Sequence, residues 1–327
     1  MDLVADVTPY ASVLTLFGIG RYHTLPYCLR KSPRHVIAFA QVLVNGLAVG
    51  CIYGLVALGF VLIYKATETV NFAQGELMMI GGFIGLTMTV HFSWPLWLTL
   101  VATALVTGAL GMLLDRAVFR RVLGERQFTV IMLTIGVALV ARGVVTMVPG
   151  WGTDTHALKT PWSGDVARLG VIAISADHVA IIVVTVLLCI ALYGFFRLTR
   201  YGVAMQAASQ NQLAATLMGI PVARLNTYIW GISAAIAAIA GLLYAPISFV
   251  HSNMGIIGLK AFPAAVVGGF GSVPGALAGG LIIGIVEALA GFYLPEGFKD
   301  IAAYVVVLVV LMVWPSGLFG ERFTKRV

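Results

Sequence analysis

The sequence predicts an all-α polytopic membrane protein with about eight or nine transmembrane helices. Of its 327 residues, 60% are hydrophobic and only 10% are charged, against roughly 25% charged in ordinary soluble domains, and the mean hydropathy is +0.99. Apolar runs recur along the chain, most of them near the about 20 residues that a span needs. Arginine and lysine fall in the short segments between these runs, the pattern of cytoplasmic-side anchoring. The net charge of +7 therefore points to membrane orientation and not to nucleic acid.

Residues 1–35 read as an N-terminal extension whose apolar piece Ala11–Gly20 is too short to span. Counting back through the spans places this extension outside, whereas Arg21, Arg30, Lys31 and Arg34 argue for inside. Residues 36–320 form a single transmembrane domain, with helices expected at 36–64, 74–91, 96–115, 129–148, 178–197, 227–247, 275–292 and 299–315. The segment 256–271 is interrupted by Pro263, Gly268 and Gly269. It is expected as a broken or re-entrant crossing inside the bundle, because irregular backbone at membrane depth must be solvated by protein or a cavity. If it crosses, three basic segments share the cytoplasmic side: the loop with Arg116, Arg120, Arg121 and Arg126, the interruption with Arg197, Arg200 and Arg224, and the tail 321–327. The loop 149–177 then faces outward.

No phosphate-binding loop, zinc-protease motif or nucleophile elbow occurs, so no catalytic residue and no metal set is predicted. If ATP drives transport, another chain must bind the nucleotide. The three cysteines, Cys28, Cys51 and Cys189, are too far apart for a metal motif and read as small apolar fillers.

Two groups of polar residues stand inside apolar surroundings. The first is Asn71, Gln74 and Glu76, where a helix ending near Tyr64 gives way to polar residues and restarts near Gly75. Broken helices offer free backbone groups to polar solutes, so these three are candidates for the translocation path. The alternative makes Glu76 a first-turn residue complementing the helix dipole and Asn71 a cap. The second is Glu287, deep in an apolar run, with Arg142 or Lys260 as possible partners in a structural ion pair; Lys260 is also a path candidate. Gly275-x-x-x-Gly279 is expected to serve helix packing. An internal echo relates Asn45-Gly46, leading to Gly81-Gly82-Phe83, with Trp230-Gly231, leading to Gly268-Gly269-Phe270. It reads either as a repeat or as chance recurrence among glycine-rich helices.

The polar interruption at 198–226, TRYGVAMQAASQNQLAATLMGIPVARLN from Thr199, is longer than a connection between two helices requires. Its composition suits short helices at the membrane surface, as a membrane subunit pushed by a soluble motor would need.

Five blocks together resemble the H-type permease subunit of branched-chain amino acid ABC importers: NGLAVGCIYGLVALGFVLIY, VNFAQGELMMIGGF, RYGVAMQAASQNQLAATLMGI, GLKAFPAAVVGGFGSVPGALAGGLIIGIVEAL and FKDIAAYVVVLVVLMVWPSGLFG. The resemblance covers roughly residues 40–320. It implies a bacterial inner-membrane protein working with a second related permease, two ATPase subunits that hold the ATP and Mg, and a periplasmic binding protein. It also implies a coupling segment of the form E-A-A-x-x-x-G, here Leu213-Ala214-Ala215-x-x-x-Gly219, with Arg200, Gly202, Gln210 and Arg224 in the same loop. Leu213 replaces the family's glutamate, so docking is expected to rest less on charge. Gln74 stands where a histidine is frequent, which argues against proton titration there. The substrate implied is a branched-chain or other small amino acid, with urea or short amides as the alternative. A proton- or sodium-coupled carrier using Glu76 and Glu287 is the competing class.

Overall fold

The computed structural model describes residues 33–122, 125–152, 154–169, 172–295 and 297–320. The expectations for residues 1–32 and for the tail 321–327 lie outside them. Eleven α-helices are present among the described residues. They are α1 (Pro33–Thr67), α2 (Gln74–Val90), α3 (Leu96–Ala117), α4 (Gln127–Met147), α5 (Ala176–Leu198), α6 (Arg200–Gln210), α7 (Gln212–Leu217), α8 (Val222–Ser248), α9 (Ile256–Gly268), α10 (Val273–Tyr293) and α11 (Phe298–Val313). Six of them, α1, α3, α4, α5, α8 and α10, are long and apolar enough to cross a membrane by themselves. At 17 and 16 residues, α2 and α11 fall just short. Every expected span is a helix.

The segment 256–271 departs from expectation. Pro263 does not break it: α9 runs unbroken through that residue and ends at Gly268, where Gly269 takes a φ of 93°. The last carbonyls of α9 are instead satisfied from outside, by the N–H groups of Leu318 on Val267 and of Phe319 on Gly268 (2.9 and 3.1 Å). The loop between α4 and α5 also holds an unforeseen feature, an antiparallel hairpin pairing Val166–Leu169 with Ile172–Ser175. Short basic segments and α6–α7 lie at the other end of the bundle, called here the basic end.

The contacts support a repeat, inverted in direction. In each half a long helix ends on a non-glycine residue with positive φ, Glu68 (55°) after α1 and Phe249 (60°) after α8. The chain then doubles back into the bundle and starts a shorter helix there. Gly75 on α2 and Gly258 on α9 meet so closely that neither has room for a Cβ, and Ser233 on α8 donates to the Gly59 carbonyl on α1 (2.9 Å). Each long helix packs on the third helix of the opposite half through small residues. Gly46, Gly50 and Gly54 of α1 face Gly280 and Gly284 of α10, while Gly231 and Ala234 of α8 face Gly108 and Gly111 of α3. Close backbone approach of this kind is how apolar helices gain packing energy in a solvent as apolar as they are. Gly275 and Gly279 do serve packing, against Gly268 and Ala264 of α9. The Gly-Gly-Phe echo itself does not align, because Gly81-Gly82 lie mid-helix in α2 and Gly268-Gly269 end α9.

Candidate functional site

The first junction, residues 68–73 between α1 and α2, runs inward from exposed Glu68 to buried Asn71 and Ala73. Gln74 is level with Gly59, eight residues before the end of α1, which is about 12 Å along the helix. Of the four residues expected to line a path, Asn71, Gln74 and Glu76 are buried, and Lys260 on α9 is partly buried. Gln74 donates through Nε2 to the Ser233 carbonyl (3.1 Å), and its Oε1 lies 3.1 Å from the Ser233 hydroxyl, which shares its one proton between Gln74 and the nearer Gly59 carbonyl. Asn71 is not the cap of α2. Its Oδ1 accepts from the Ala73 N–H (3.0 Å), one turn element earlier, and its Nδ2 has no partner. The Gln74 side chain thus ties the start of α2 to α8 beside Gly59.

Glu76 forms an ion pair with Arg142 of α4 at 2.5 Å. Its second oxygen, Oε2, is buried without a partner, and the carboxylate stands against Gly255, the residue that opens α9. The positive end of that helix dipole therefore faces a carboxylate from the opposite half. This corrects one expectation: Arg142 belongs with Glu76 and not with Glu287, because its position on α4 faces α2.

In the opposite half the second junction is residues 249–255, between α8 and α9, and beyond it Glu287 of α10 lies with Lys260 of α9 (3.2 Å), as one of the two sequence alternatives held. Two partners were missed. The Tyr53 hydroxyl on α1 donates to Glu287 (2.6 Å), and Asp300, in the first turn of α11, takes the Lys260 ammonium at 2.5 Å. Helix α2 thus pairs with α4 as glutamate with arginine, and α9 pairs with α11 as lysine with aspartate: equivalent helices, opposite signs. Arg142 and Glu287 lie five and six residues from the far ends of α4 and α10, so both clusters sit about 8–9 Å inside that end.

The elbow α6–α7 forms a separate surface at the basic end. Thr199 caps α6 by accepting from the Gly202 N–H (3.0 Å), and Gly202 lies so tight against Phe195 and Phe196 that no side chain fits. Asn211 caps α7 by accepting from Ala214 (2.9 Å). Gly219 ends α7 at φ 82°, with its N–H on Thr216 and the Ile220 N–H on Ala215 (both 3.0 Å). That is a Schellman closure, which needs a residue comfortable in the left-handed region. The inner face seats Met205, Ala208 and Ala215, while Leu213, Leu217 and Met218 are 73–83% exposed. Ala214 and both arginines, Arg200 and Arg224, are also exposed, as is Gln210. The glutamine that ties the elbow to the bundle is Gln212, whose Nε2 donates to the Ala66 carbonyl at the end of α1 (2.7 Å). Nearby, Asp115 of α3 is buried and accepts from the Thr227 hydroxyl of α8 (2.5 Å), a clamp that shows in the sequence only as a lone acid at a helix end.

Residues 42–314 match the family described as the branched-chain amino acid transport system permease component. The chain is 31% identical over 303 residues to the high-affinity branched-chain amino acid permease LivH of Salmonella typhimurium, covering 88% of this chain and 98% of that one. BraD of Pseudomonas aeruginosa, described in the same terms, matches with the same identity and coverage. The guanosine permease NupQ of Bacillus subtilis is 29% identical, over 82% of this chain and 88% of NupQ. A multi-pass bundle with paired half-helix junctions, matched along nearly its whole length, belongs to the branched-chain amino acid permease family of ABC transporters.

Proposed function

We propose that this chain forms half of the translocation path of an ATP-driven importer in a bacterial inner membrane. The basic end faces the cytoplasm, in line with its arginine-rich segments, and the α6–α7 elbow receives an ATPase subunit. ATP and Mg are held by two such ATPases, a second related permease completes the path, and a periplasmic binding protein delivers solute at the hairpin end. The substrate is a branched-chain or other small amino acid, supported by the LivH and BraD matches.

One observation carries this reading: a capped, two-helix elbow on which Leu213, Leu217 and Met218 stand exposed, with no neighbour among the described residues covering them. An apolar rim of this kind is a docking surface, and its leucine at the glutamate position fits recognition by shape. Movement of the elbow reaches the path through Gln212, which holds the end of α1 only a few residues before Asn71 and Gln74. A push on α7 thereby bears on the segment that forms the first junction.

The test is Gly219→Val, measured on the purified assembly. A β-branched residue is strained at φ 82° and opens the Schellman closure without steric contact elsewhere, since nothing lies within 4 Å of the position. The expected result is intact recovery of both permeases and both ATPases, with substrate-stimulated ATP hydrolysis lost, while Gly219→Asn keeps most of it. Wild-type stimulation in Gly219→Val removes the coupling role. Recovery of the chain alone, still transporting after reconstitution, overturns the importer reading.

A further inference from the structure

Beside the elbow lies a cavity of about 640 Å³, bounded by α1, α5, α6, α8 and the start of α10. Its walls are apolar, with Leu58, Leu62, Cys189, Phe196 and Leu277 among them, and its polar groups, including Lys65, Gln206 and Ser209, gather on the elbow side. Leu58 is seven residues deeper on α1 than Lys65, so the chamber reaches about 10 Å inward from the basic end. Lys65 makes no ion pair among the described residues. A second cation stands at the same end: the Arg197 guanidinium lies 5.5 Å from the ring centroid of Tyr193, a wall residue.

We propose that this cavity is a binding site for an anionic phospholipid, with acyl chain between α1, α5 and α10 and phosphate at Lys65. An apolar chamber with polar and cationic groups at one end only has the pattern of an amphiphile. A bare apolar chamber at the membrane edge fills with any lipid, whereas the unpaired ammonium selects an anionic headgroup. On α1 the lining reaches no deeper than Leu58, about 10 Å in, which is the depth of part of an acyl chain and not of a helix running the length of the bundle. The ligand touches Gln206 and Ser209 of α6 together with α1 and α10, so it bridges the elbow to the two halves of the bundle.

The experiment uses the full-length chain in its assembled transporter, in nanodiscs of equal phosphatidylglycerol and phosphatidylcholine. Tyr193 is replaced by p-benzoyl-L-phenylalanine, and the photo-adducts are identified by mass spectrometry. The same replacement at Leu187, exposed on α5 but absent from the cavity wall, reports the surrounding bilayer. The expected result is enrichment of phosphatidylglycerol at position 193 by roughly fivefold over position 187, the effect of one basic residue at an anionic surface. Lys65→Gln reduces that ratio to about one, and Cys189→Trp, which projects an indole from the wall into the chamber, lowers the adduct yield. Equal adducts of the two lipids in the unmodified background, a ratio unchanged by Lys65→Gln, or a crosslink to the second permease overturns the proposal.

Discussion

At the first junction the carboxylate sits on the half-helix and the cation on the helix beyond it; at the second the signs are exchanged. The environments differ as well. The Glu76 side chain is 7% exposed and has Arg142 as its one ionic partner, whereas Lys260 is shared between buried Glu287 and an Asp300 that is 69% exposed. Around the first pair, Gln74, Ser233 and the Gly59 carbonyl close the chain with neutral hydrogen bonds. Around the second, a phenol and a second carboxylate hold the charge. One architecture used twice therefore gives one brittle joint, with a single counter-ion, and one redundant joint in which Lys260 and Glu287 each have a second partner among the described residues.

The largest expected effect breaks the brittle joint. Arg142→Met leaves a buried carboxylate without its counter-ion and destabilises the protein by about 3 kcal/mol, the low end for a buried pair because the arginine is one-third exposed. Adding Glu76→Gln removes the stranded charge and restores most of that loss. Thermal unfolding of the purified assembly reads both, and a double variant as unstable as the single one refutes the pairing. At the redundant joint, Glu287→Gln keeps an acceptor for the Tyr53 hydroxyl and leaves Lys260 with Asp300. Its expected cost is about 1–2 kcal/mol, that of one weakened buried hydrogen-bonded site, with transport lowered in step with the amount assembled. Full assembly with transport abolished would place Glu287 on the path instead.

The helices were legible because long apolar runs between basic segments leave the backbone no other satisfied state in a bilayer. The elbow was legible for a related reason: a long polar interruption between apolar runs suits short surface helices, and the second of them closes at Gly219, with a φ of 82°. Pairing across helices was not legible. Whether Arg142 faces Glu76 or Glu287 depends on the rotation and depth of α4, and neither is written in the spacing. Asp300 reads in sequence as an ordinary first-turn acid, and Ser233 as one small residue among alanines. Gln212 was passed over for Gln210 because the kink at Asn211 decides which glutamine meets α1, and a six-residue helix is too short to show a face. The hairpin at 166–175 alternates over only four residues on each strand, too few to stand out from a polar loop.

A smaller effect tests the backbone side of the comparison. Phe249 ends α8 at φ 60° and ψ 160°, a region that glycine alone enters freely, and its ring is half exposed. Phe249→Gly relieves strain of about 1–3 kcal/mol, offset by the about 1 kcal/mol of extra chain entropy that glycine loses on folding. The expected result is a modest rise in the unfolding midpoint. A fall would mean that the ring, and not the turn, sets the end of α8.

The smallest effect is the sharpest on redundancy. Asp300→Asn removes an exposed carboxylate whose ammonium partner keeps buried Glu287 at 3.2 Å. Exposed pairs contribute about 0–1 kcal/mol, so the unfolding midpoint barely moves in the wild-type background. In the Glu287→Gln background the same change strips Lys260 of its last carboxylate, and the partly buried ammonium is left with neutral acceptors only. The two losses are therefore expected to exceed their sum. Measured additivity would mean that the two carboxylates act independently, and that the second junction is a pair of unrelated contacts and not a shared one. Coupling between them, with none between Glu287 and Arg142, would fix the two ion-pair clusters as separate joints of the inverted halves.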